Sequence, residues 1–296
     1  MLSGTTIELQ ELIDLRSQVR FNKRRSRTAS ISGSKLTKIK GRGVDLDEVR
    51  LYHTGDDVRN IDWKVTARKN KPHTKIFREE QERPTLIVVD ETRSMFFGSQ
   101  IRFKSIAAAE ISALIAWQAL EANDRVGAIV VNDGHLSITK PRRSGVTVTH
   151  CLSEIAQSAN ALRAQIALRQ VNSDSWSSVP ESINNVARSN YRIVIISDMV
   201  SLSESTLSKV LRLSRRNRVE IFLVYDNLER TLPPANRYIV EDLEERVSFD
   251  TGDQKLRASY RERFDKRVTE LVDKCRSHRV EFTKVPTDMP ITQLLI

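Results

Sequence analysis

The chain has 296 residues, of which 39% are hydrophobic and 29% are charged, and its formal net charge is +10. This composition is typical of a soluble globular protein and excludes collagen-like, mucin-like and wholly disordered chains. The longest apolar stretch, around Ile106 to Leu120, is interrupted by Glu110 and Ser112. A membrane span needs about 20 predominantly apolar residues, so none is predicted.

The amino-terminal residues and the cysteines indicate a compartment. The first residues have no basic end leading into an apolar run, so no signal peptide is predicted. Cys151 and Cys275 are far apart and form no CxxC pattern, which argues against a disulfide scaffold and a cysteine-rich zinc site. We therefore expect a cytoplasmic protein, or one that is peripheral to the inner membrane.

The positive charge is concentrated near the amino terminus. Between Leu15 and Arg42 there are ten basic residues and no acid, so the rest of the chain is neutral overall. The densest part is a basic patch formed by Lys23, Arg24, Arg25 and Arg27. The segment is interpreted either as a solvated, poorly ordered arm or as a surface for nucleic acid, anionic lipid or an acidic protein.

A motif rich in acids and arginines follows, within Gly41–Arg68. Its Thr54-Gly-Asp-Asp57 stretch predicts a turn whose Asp can cap the next short helix. Arg59 and Arg68 are expected to pair with Asp56, Asp57 or Asp62 around Trp63. We interpret the motif as a structural cluster rather than a catalytic one. It belongs to a predicted amino-terminal part that comprises residues 1–82.

Residues 83–296 alternate short β-branched runs with helical patterns, which is typical of an α/β domain. The predicted strands are Thr85–Asp90, Arg125–Val131, Gly134–Thr139, Tyr191–Ser197, Val219–Tyr225 and Val280–Val285. The predicted helices are Ile101–Ala122, Val146–Leu162, Ser203–Arg216 and Gln254–His278. Because most strands are almost continuously apolar, we expect a doubly wound, mainly parallel, Rossmann-type sheet with one antiparallel edge strand.

Oxygen-bearing side chains follow several of these strands. The first strand ends in Asp90, with Thr92 and Ser94 two and four residues later, and further strands end in Ser197-Asp198 and Tyr225-Asp226. Hydroxyls and a few carboxylates at one sheet edge suit a hard cation such as Mg²⁺. The alternative is a turn followed by a helix N-cap.

Two stretches together resemble a known family. GRGVDLDEVRLYHTGDDVRNIDWKVTAR followed by VVDETRSMFFG is similar to the bacterial domain-of-unknown-function family 58 (DUF 58). Members carry Y-x-P-G-D-D-x-R-x-I-D-W-x-x-x-A-R before a von Willebrand factor A-like domain that opens with D-x-S-x-S. The positions in register are Gly55, Asp56, Asp57, Arg59, Ile61, Asp62, Trp63, Ala67 and Arg68.

The resemblance implies a metal-ion-dependent adhesion site that binds Mg²⁺ or Mn²⁺. Asp90, Thr92 and Ser94 would form its first loop, and Asp198 would supply the third-loop carboxylate. The resemblance also implies a protein-interaction role, frequently with a separate MoxR-type AAA ATPase. The chain itself has no GxxxxGK[ST] motif.

The sequence departs from the family pattern at several positions. Thr54 replaces the signature Pro, and Thr92 replaces a Ser while keeping the hydroxyl. The Gly-Gly-Thr of the second metal loop is missing; Ser177 aligns best with its Thr, and Asp174 is a rival. A serine ligand or a weakened metal affinity is therefore expected.

Two other functions stay open. Asp90-x-Thr92-x-Ser94 also resembles the aspartyl-phosphate motif of haloacid dehalogenase-like phosphotransferases, in which Asp90 would be the nucleophile beside magnesium. Arg93 replaces the glycine that the pumps of that superfamily carry, and the upstream signature is foreign to them. Nucleic-acid binding through residues 15–42 has no recognised module.

Overall fold

The computed structural model describes residues 2, 4–29, 40–78, 83–167, 175–241 and 246–291. The helices of this part are α1 (Leu9–Ala29), α2 (Trp63–Lys69), α3 (Lys104–Glu121), α4 (Gly145–Ala167), α5 (Val179–Val186), α6 (Glu204–Arg212), α7 (Asn227–Arg230) and α8 (Gln254–Ser277). The strands are β1 (Lys40–Leu51), β2 (His73–Arg78), β3 (Thr85–Asp90), β4 (Val126–Val131), β5 (Leu136–Arg142), β6 (Arg192–Ser197), β7 (Arg218–Tyr225), β8 (Arg237–Glu241), β9 (Arg246–Asp250) and β10 (Glu281–Pro286).

The chain divides into two compact units. One, the α/β unit, comprises Met1–Arg24 and Arg83–Ile296. The other, the signature unit, comprises Arg25–Glu82. The α/β unit thus begins its main part where the sequence changes character, but it also includes the first 24 residues, which the sequence analysis had grouped with residues up to 82.

The α/β unit is built on a six-stranded sheet with the order β10-β7-β6-β3-β4-β5. All neighbouring strands are parallel except β4 and β5, which are antiparallel. Counted along the chain, these strands are arranged 3-2-1-4-5-6, the order of doubly wound sheets. The predicted fold class, including the antiparallel edge strand, is confirmed.

Helices cover both faces of this sheet, and β3 is therefore buried on both faces. Ile87 and Val89 point into a core shared with α1, α3 and α4, whereas Leu86 and Val88 point into a core shared with α5, α6 and α8. This alternation follows from the two-residue period of a strand. The carboxyl ends of β3 and β6, which are parallel neighbours, therefore meet at one edge of the sheet.

The first helix replaces much of the predicted arm. Leu12, Leu15 and Val19 are buried in the core of the α/β unit, and the indole of Trp117 donates a hydrogen bond of 2.9 Å to the carbonyl of Leu12. This part of the basic segment is a packed helix because its apolar residues recur at helical spacing.

Two arginines of α1 have intramolecular partners. Arg16 and Arg20 both contact the Glu121 carboxylate, at 3.0 and 2.9 Å. The side chains of Lys23, Arg24, Arg25 and Arg27, and residues 30–39, lie outside the described residues. The expectation of an acid-binding basic patch there stays a prediction.

The signature unit contains an antiparallel pair of strands that the sequence analysis did not predict. β1 and β2 pair with register shifts between Lys40 and Asp45 and between Leu46 and Glu48. α2 lies between them in the chain. The charged residues of β1 hide the alternation that normally identifies a strand.

We predict that Leu12→Ala lowers the free energy of unfolding by about 3 kcal/mol, because it leaves a cavity under a helix that packs on the core. Urea denaturation measures this change. Gln18→Ala, an exposed position on the same helix, is the matched control and should have almost no effect. Equal stabilities of the two variants would mean that α1 does not pack in solution.

Candidate metal centre

A buried carboxylate at the end of β3 receives hydrogen bonds from three parts of the chain. Thr92 donates its backbone N–H (3.0 Å) and its hydroxyl (2.7 Å) to Oδ1 of Asp90. The hydroxyl of Ser197 (2.6 Å) and the indole N–H of Trp176 (3.2 Å) donate to Oδ2. Asp90 is fully buried, so these four donors define its position and replace water around it.

The ionisation of Asp90 reflects the balance of these surroundings. Burial, and then the negative charge of Asp198, raise the pKa of Asp90 to about 6, although the bonds from Ser197 and Thr92 oppose the shift. The group is thus mostly charged at neutral pH, close to a second carboxylate. A cation placed between or beside the two would relieve this repulsion.

Hydroxyl oxygens gather beside Asp90. The Thr92 hydroxyl oxygen lies 3.4 Å from that of Ser94 and 3.5 Å from that of Ser201. Thr92 and Ser94 belong to the short 3-10 turn after β3, in which the Met95 N–H donates to the Thr92 carbonyl at 2.9 Å. Ser201 comes from the loop after β6 and was not predicted, since a serine in a loop carries no signal by itself.

Asp198 lies at the same sheet edge and forms an ion pair with a lysine. Its Oδ1 accepts the Val200 N–H at 2.9 Å, and its Oδ2 accepts from the ammonium of Lys104 at 2.7 Å. The turn is tightened by Met199, which has a φ of 58° and donates its N–H to the Ser197 hydroxyl at 2.9 Å. Lys104 was not predicted as part of the site, because an isolated lysine at the start of a helix does not indicate a distant carboxylate partner.

The second loop contributes an indole to Asp90, whereas Ser177 was the predicted ligand from this loop. Trp176 is buried and makes this loop's hydrogen bond to Asp90, whereas the adjacent Ser177 is exposed. Asp174 lies outside the described residues. The sequence does not predict the role of Trp176, because nothing near it shows that the indole contacts Asp90, 86 residues away.

These oxygens fit a hard cation with a small number of protein ligands. Mg²⁺ and Mn²⁺ prefer carboxylate, hydroxyl and water oxygens in octahedral geometry. The described residues contain no group of three or more His, Cys, Asp or Glu side chains suited to a metal. The candidate ligands are therefore the hydroxyls of Thr92, Ser94 and Ser201, with the buried charge of Asp90 beside them and Asp198 nearby.

Glu91 is a further buried carboxyl group next to this cluster. It is fully buried, and neither of its carboxyl oxygens has a hydrogen-bond partner among the described residues. Burial, reinforced by the charge of Asp90, raises the pKa of Glu91 well above its usual value. Burial and the charge of Asp90 therefore both favour the protonated form of Glu91.

The strand-end carboxylate Asp226 serves a different contact. It accepts the N–H (2.9 Å) and hydroxyl (2.6 Å) of Ser99, the hydroxyl of Thr287 (2.6 Å) and the N–H of Leu228 (2.9 Å). Burial alone would raise the pKa of Asp226, but these bonds outweigh it and lower the pKa below its usual value. Asp226 ties three segments together and caps α7.

We predict that Asp226→Asn lowers the free energy of unfolding at neutral pH by about 2 kcal/mol, because charge-assisted bonds are lost. A lowered folded-state pKa stabilises the protein above the unfolded pKa, and this contribution disappears as the pH falls below about 4. The difference between variant and wild type should therefore shrink in acid. Urea denaturation across pH, with the exposed Asp14→Asn as control, tests this; a difference independent of pH would contradict it.

The acidic residues of the signature cap and brace the local backbone. Gly55 has a φ of 107°, which only glycine adopts easily. Asp56 accepts the His53 N–H at 2.9 Å and pairs with Arg50 at 2.8 Å. Asp57 accepts the Arg59 N–H at 3.0 Å and caps a 3-10 turn.

A third acid begins α2. Asp62 accepts the N–H groups of Lys64 and Val65, at 3.0 and 3.1 Å, and thereby caps the helix. Its other oxygen lies 3.9 Å from the ammonium of Lys75. Each of the three signature acids therefore stabilises the local backbone by accepting nearby N–H groups.

The signature arginines do not behave as expected. Among residues 40–78, neither Arg59 nor Arg68 forms an ion pair, so the predicted pairing with Asp56, Asp57 or Asp62 is wrong. The acids face backbone N–H groups, and Arg50 takes the guanidinium role beside Asp56. Trp63 is 70% exposed rather than enclosed by the cluster.

We predict that Asp62→Ala destabilises α2 by about 1 kcal/mol, because it removes the N-cap. Hydrogen exchange of the α2 amides measures this locally. Arg68→Ala is the matched control on the same helix and should leave the exchange rates unchanged. Faster exchange in both variants would indicate that Arg68 is a structural partner after all.

The family model for the protein of unknown function DUF58 matches residues 48–270. The chain therefore belongs to the DUF58 family, which includes both the signature and most of the α/β unit.

The curated relatives come from mycobacteria. The uncharacterized protein Rv1480 of Mycobacterium tuberculosis and the uncharacterized protein Mb1516 of Mycobacterium bovis are each 29% identical over 222 residues. The matched region spans 73% of this chain and 66% of each relative, so this chain matches slightly less than two thirds of their length.

Solved structures with a similar arrangement were also found. BatB from Bacteroides thetaiotaomicron aligns at 15% identity with a TM-score of 0.38, covering 71% of this chain and 93% of BatB. The SpRpn10 VWA domain aligns at 12% identity with a TM-score of 0.36, covering 72% of this chain and 94% of that domain. Among the described residues, no helix is long and apolar enough to cross a membrane.

Proposed function

We propose that this protein is a non-enzymatic interaction module in which a divalent cation, Mg²⁺ or Mn²⁺, captures an acidic side chain of a partner protein. The observation that carries the proposal is the hydroxyl cluster of Thr92, Ser94 and Ser201 beside the buried Asp90. A structural N-cap needs one such hydroxyl, whereas a cation needs several oxygens that converge.

The protein's own residues have distinct parts in this proposal. Asp90 supplies negative charge, and the Trp176, Ser197 and Thr92 donors hold it in place. The hydroxyls of Thr92 and Ser94 supply neutral oxygens, so the site does not cancel the positive charge of a divalent cation. When bound, such a cation supplies the positive charge that attracts a carboxylate.

The surroundings of Asp90 favour this role over nucleophilic catalysis. An aspartyl-phosphate mechanism needs a carboxylate oxygen free to attack phosphorus. Both oxygens of Asp90 accept two hydrogen bonds each and the residue is fully buried, so neither oxygen is free to attack, whereas the proposed site needs from Asp90 only its negative charge beside the hydroxyl ligands. We therefore propose that the chain alone has no phosphatase or phosphotransferase activity.

A MoxR-type AAA ATPase is the proposed partner, on the basis of family membership. Any ATP hydrolysis would belong to that partner, because this chain lacks a GxxxxGK[ST] motif. Binding of nucleic acid or an anionic surface through residues 15–42 is less well supported, since Arg16 and Arg20 are engaged by Glu121.

We predict that Asp90→Ala abolishes Mg²⁺ and Mn²⁺ binding measured by titration calorimetry, because the negative charge beside the hydroxyls is lost. Ser201→Ala should weaken binding without abolishing it, because it removes one neutral oxygen. The exposed Asp14→Ala is the matched control and should bind like the wild type. Unchanged binding in Asp90→Ala would refute the metal site.

A purified MoxR-type ATPase from the same organism tests the partnership. Complex formation is measured with Mg²⁺ and with chelator, for the wild type and for Asp90→Ala. The proposal expects a complex only for the wild type with metal. A complex that persists with chelator and in Asp90→Ala would refute the metal-dependent mechanism, and absence of any complex would refute this partner.

A further inference from the structure

A buried ammonium group lies at the acidic side of the candidate metal centre. Lys104 Nζ is 2.7 Å from Asp198 Oδ2 and 2.7 Å from Glu229 Oε1, and the side chain of Lys104 is 2% exposed. Arg267 contacts the backbone carbonyl of Asp198 at 2.6 Å rather than its carboxylate. Lys104 is thus the cation that the described residues place on this carboxylate.

The position of Lys104 is unfavourable for a lysine in two respects. Lysine is almost never fully buried unless it is paired. Lys104 is also the first residue of α3, where the helix dipole disfavours a positive charge. Two carboxylates, each 2.7 Å from the ammonium, compensate for this position.

The two carboxylate partners differ in their surroundings. Asp198 is buried at the sheet edge, where its Oδ1 also accepts the Val200 N–H at 2.9 Å. Glu229 is 25% exposed and belongs to α7, where its second oxygen accepts the Asp226 N–H at 2.8 Å. Glu229 can therefore keep Lys104 neutralised without Asp198.

We propose that Lys104 is an internal cation that competes with the divalent cation for Asp198 and is retained by Glu229 when the metal binds. The inference rests on the proposed metal site and adds its regulation. Without metal, the ammonium balances Asp198 and keeps the sheet edge stable. With metal, two cations would otherwise share one carboxylate, and Glu229 takes over the balance of Lys104.

This competition predicts effects of opposite sign for two neighbouring residues. Lys104→Met keeps an unbranched side chain of similar length but removes the competing charge, so metal affinity should rise about tenfold, a typical coupling between sites. Glu229→Gln retains an oxygen acceptor for the α7 capping box but removes the charge that retains Lys104. Lys104 then stays on Asp198, and metal affinity should fall.

Titration calorimetry with Mg²⁺ and Mn²⁺ on the full chain, together with melting temperatures with and without metal, tests the proposal. Lys140→Met, an exposed lysine of the edge strand β5, controls for the loss of one positive charge. Lys104→Met should melt lower than the wild type without metal and gain more from metal. A purely structural lysine would lower stability without raising affinity.

The outcomes separate the two proposals. Tighter binding in Lys104→Met and weaker binding in Glu229→Gln support the competition. Equal affinities in the wild type and both variants overturn the competition and leave the metal site intact, whereas no binding by any of them overturns both. If Lys104→Met does not fold, Lys104→Gln and Glu229→Gln provide the same comparison.

Discussion

The arrangement of the sheet edge depends on the burial of one carboxylate, Asp90. A buried charge is tolerated only when hydrogen bonds replace its hydration. Here the replacements come from the turn after β3, the loop before α5 and the end of β6, through Thr92, Trp176 and Ser197. Three separate segments are thereby held at fixed positions around one atom group, so the hydroxyls beside it are preorganised rather than flexible.

The two carboxylates at this sheet edge, Asp90 and Asp198, are stabilised by different kinds of partner. Asp90 is satisfied by neutral donors, whereas Asp198, its parallel-strand neighbour, is satisfied by the Lys104 ammonium. Burial and the charge of Asp90 raise the pKa of the equally buried Glu91. The three adjacent acids therefore differ in their surroundings.

The sequence predicted what local pattern controls and missed what distant contacts control. β3 was predicted with its observed bounds because Thr85–Asp90 is a short, mostly β-branched run, and Asp90, Thr92 and Ser94 followed from spacing. Trp176 lies 86 residues from Asp90 and Lys104 lies 94 from Asp198, so no short-range pattern connects them. The arginine pairing failed for a related reason: charge proximity in sequence does not reveal that an acid faces a backbone N–H.

The three tryptophans occupy three different environments, so the intrinsic fluorescence of the protein reports on three separate regions. Trp63 is 70% exposed in the signature unit, Trp117 is buried beneath α1, and Trp176 is buried against Asp90. Collisional quenchers such as iodide therefore reach Trp63 first. The Trp176 indole donates to a charged carboxylate, so its emission responds to changes in the local field. Events at the sheet edge can be followed without a label.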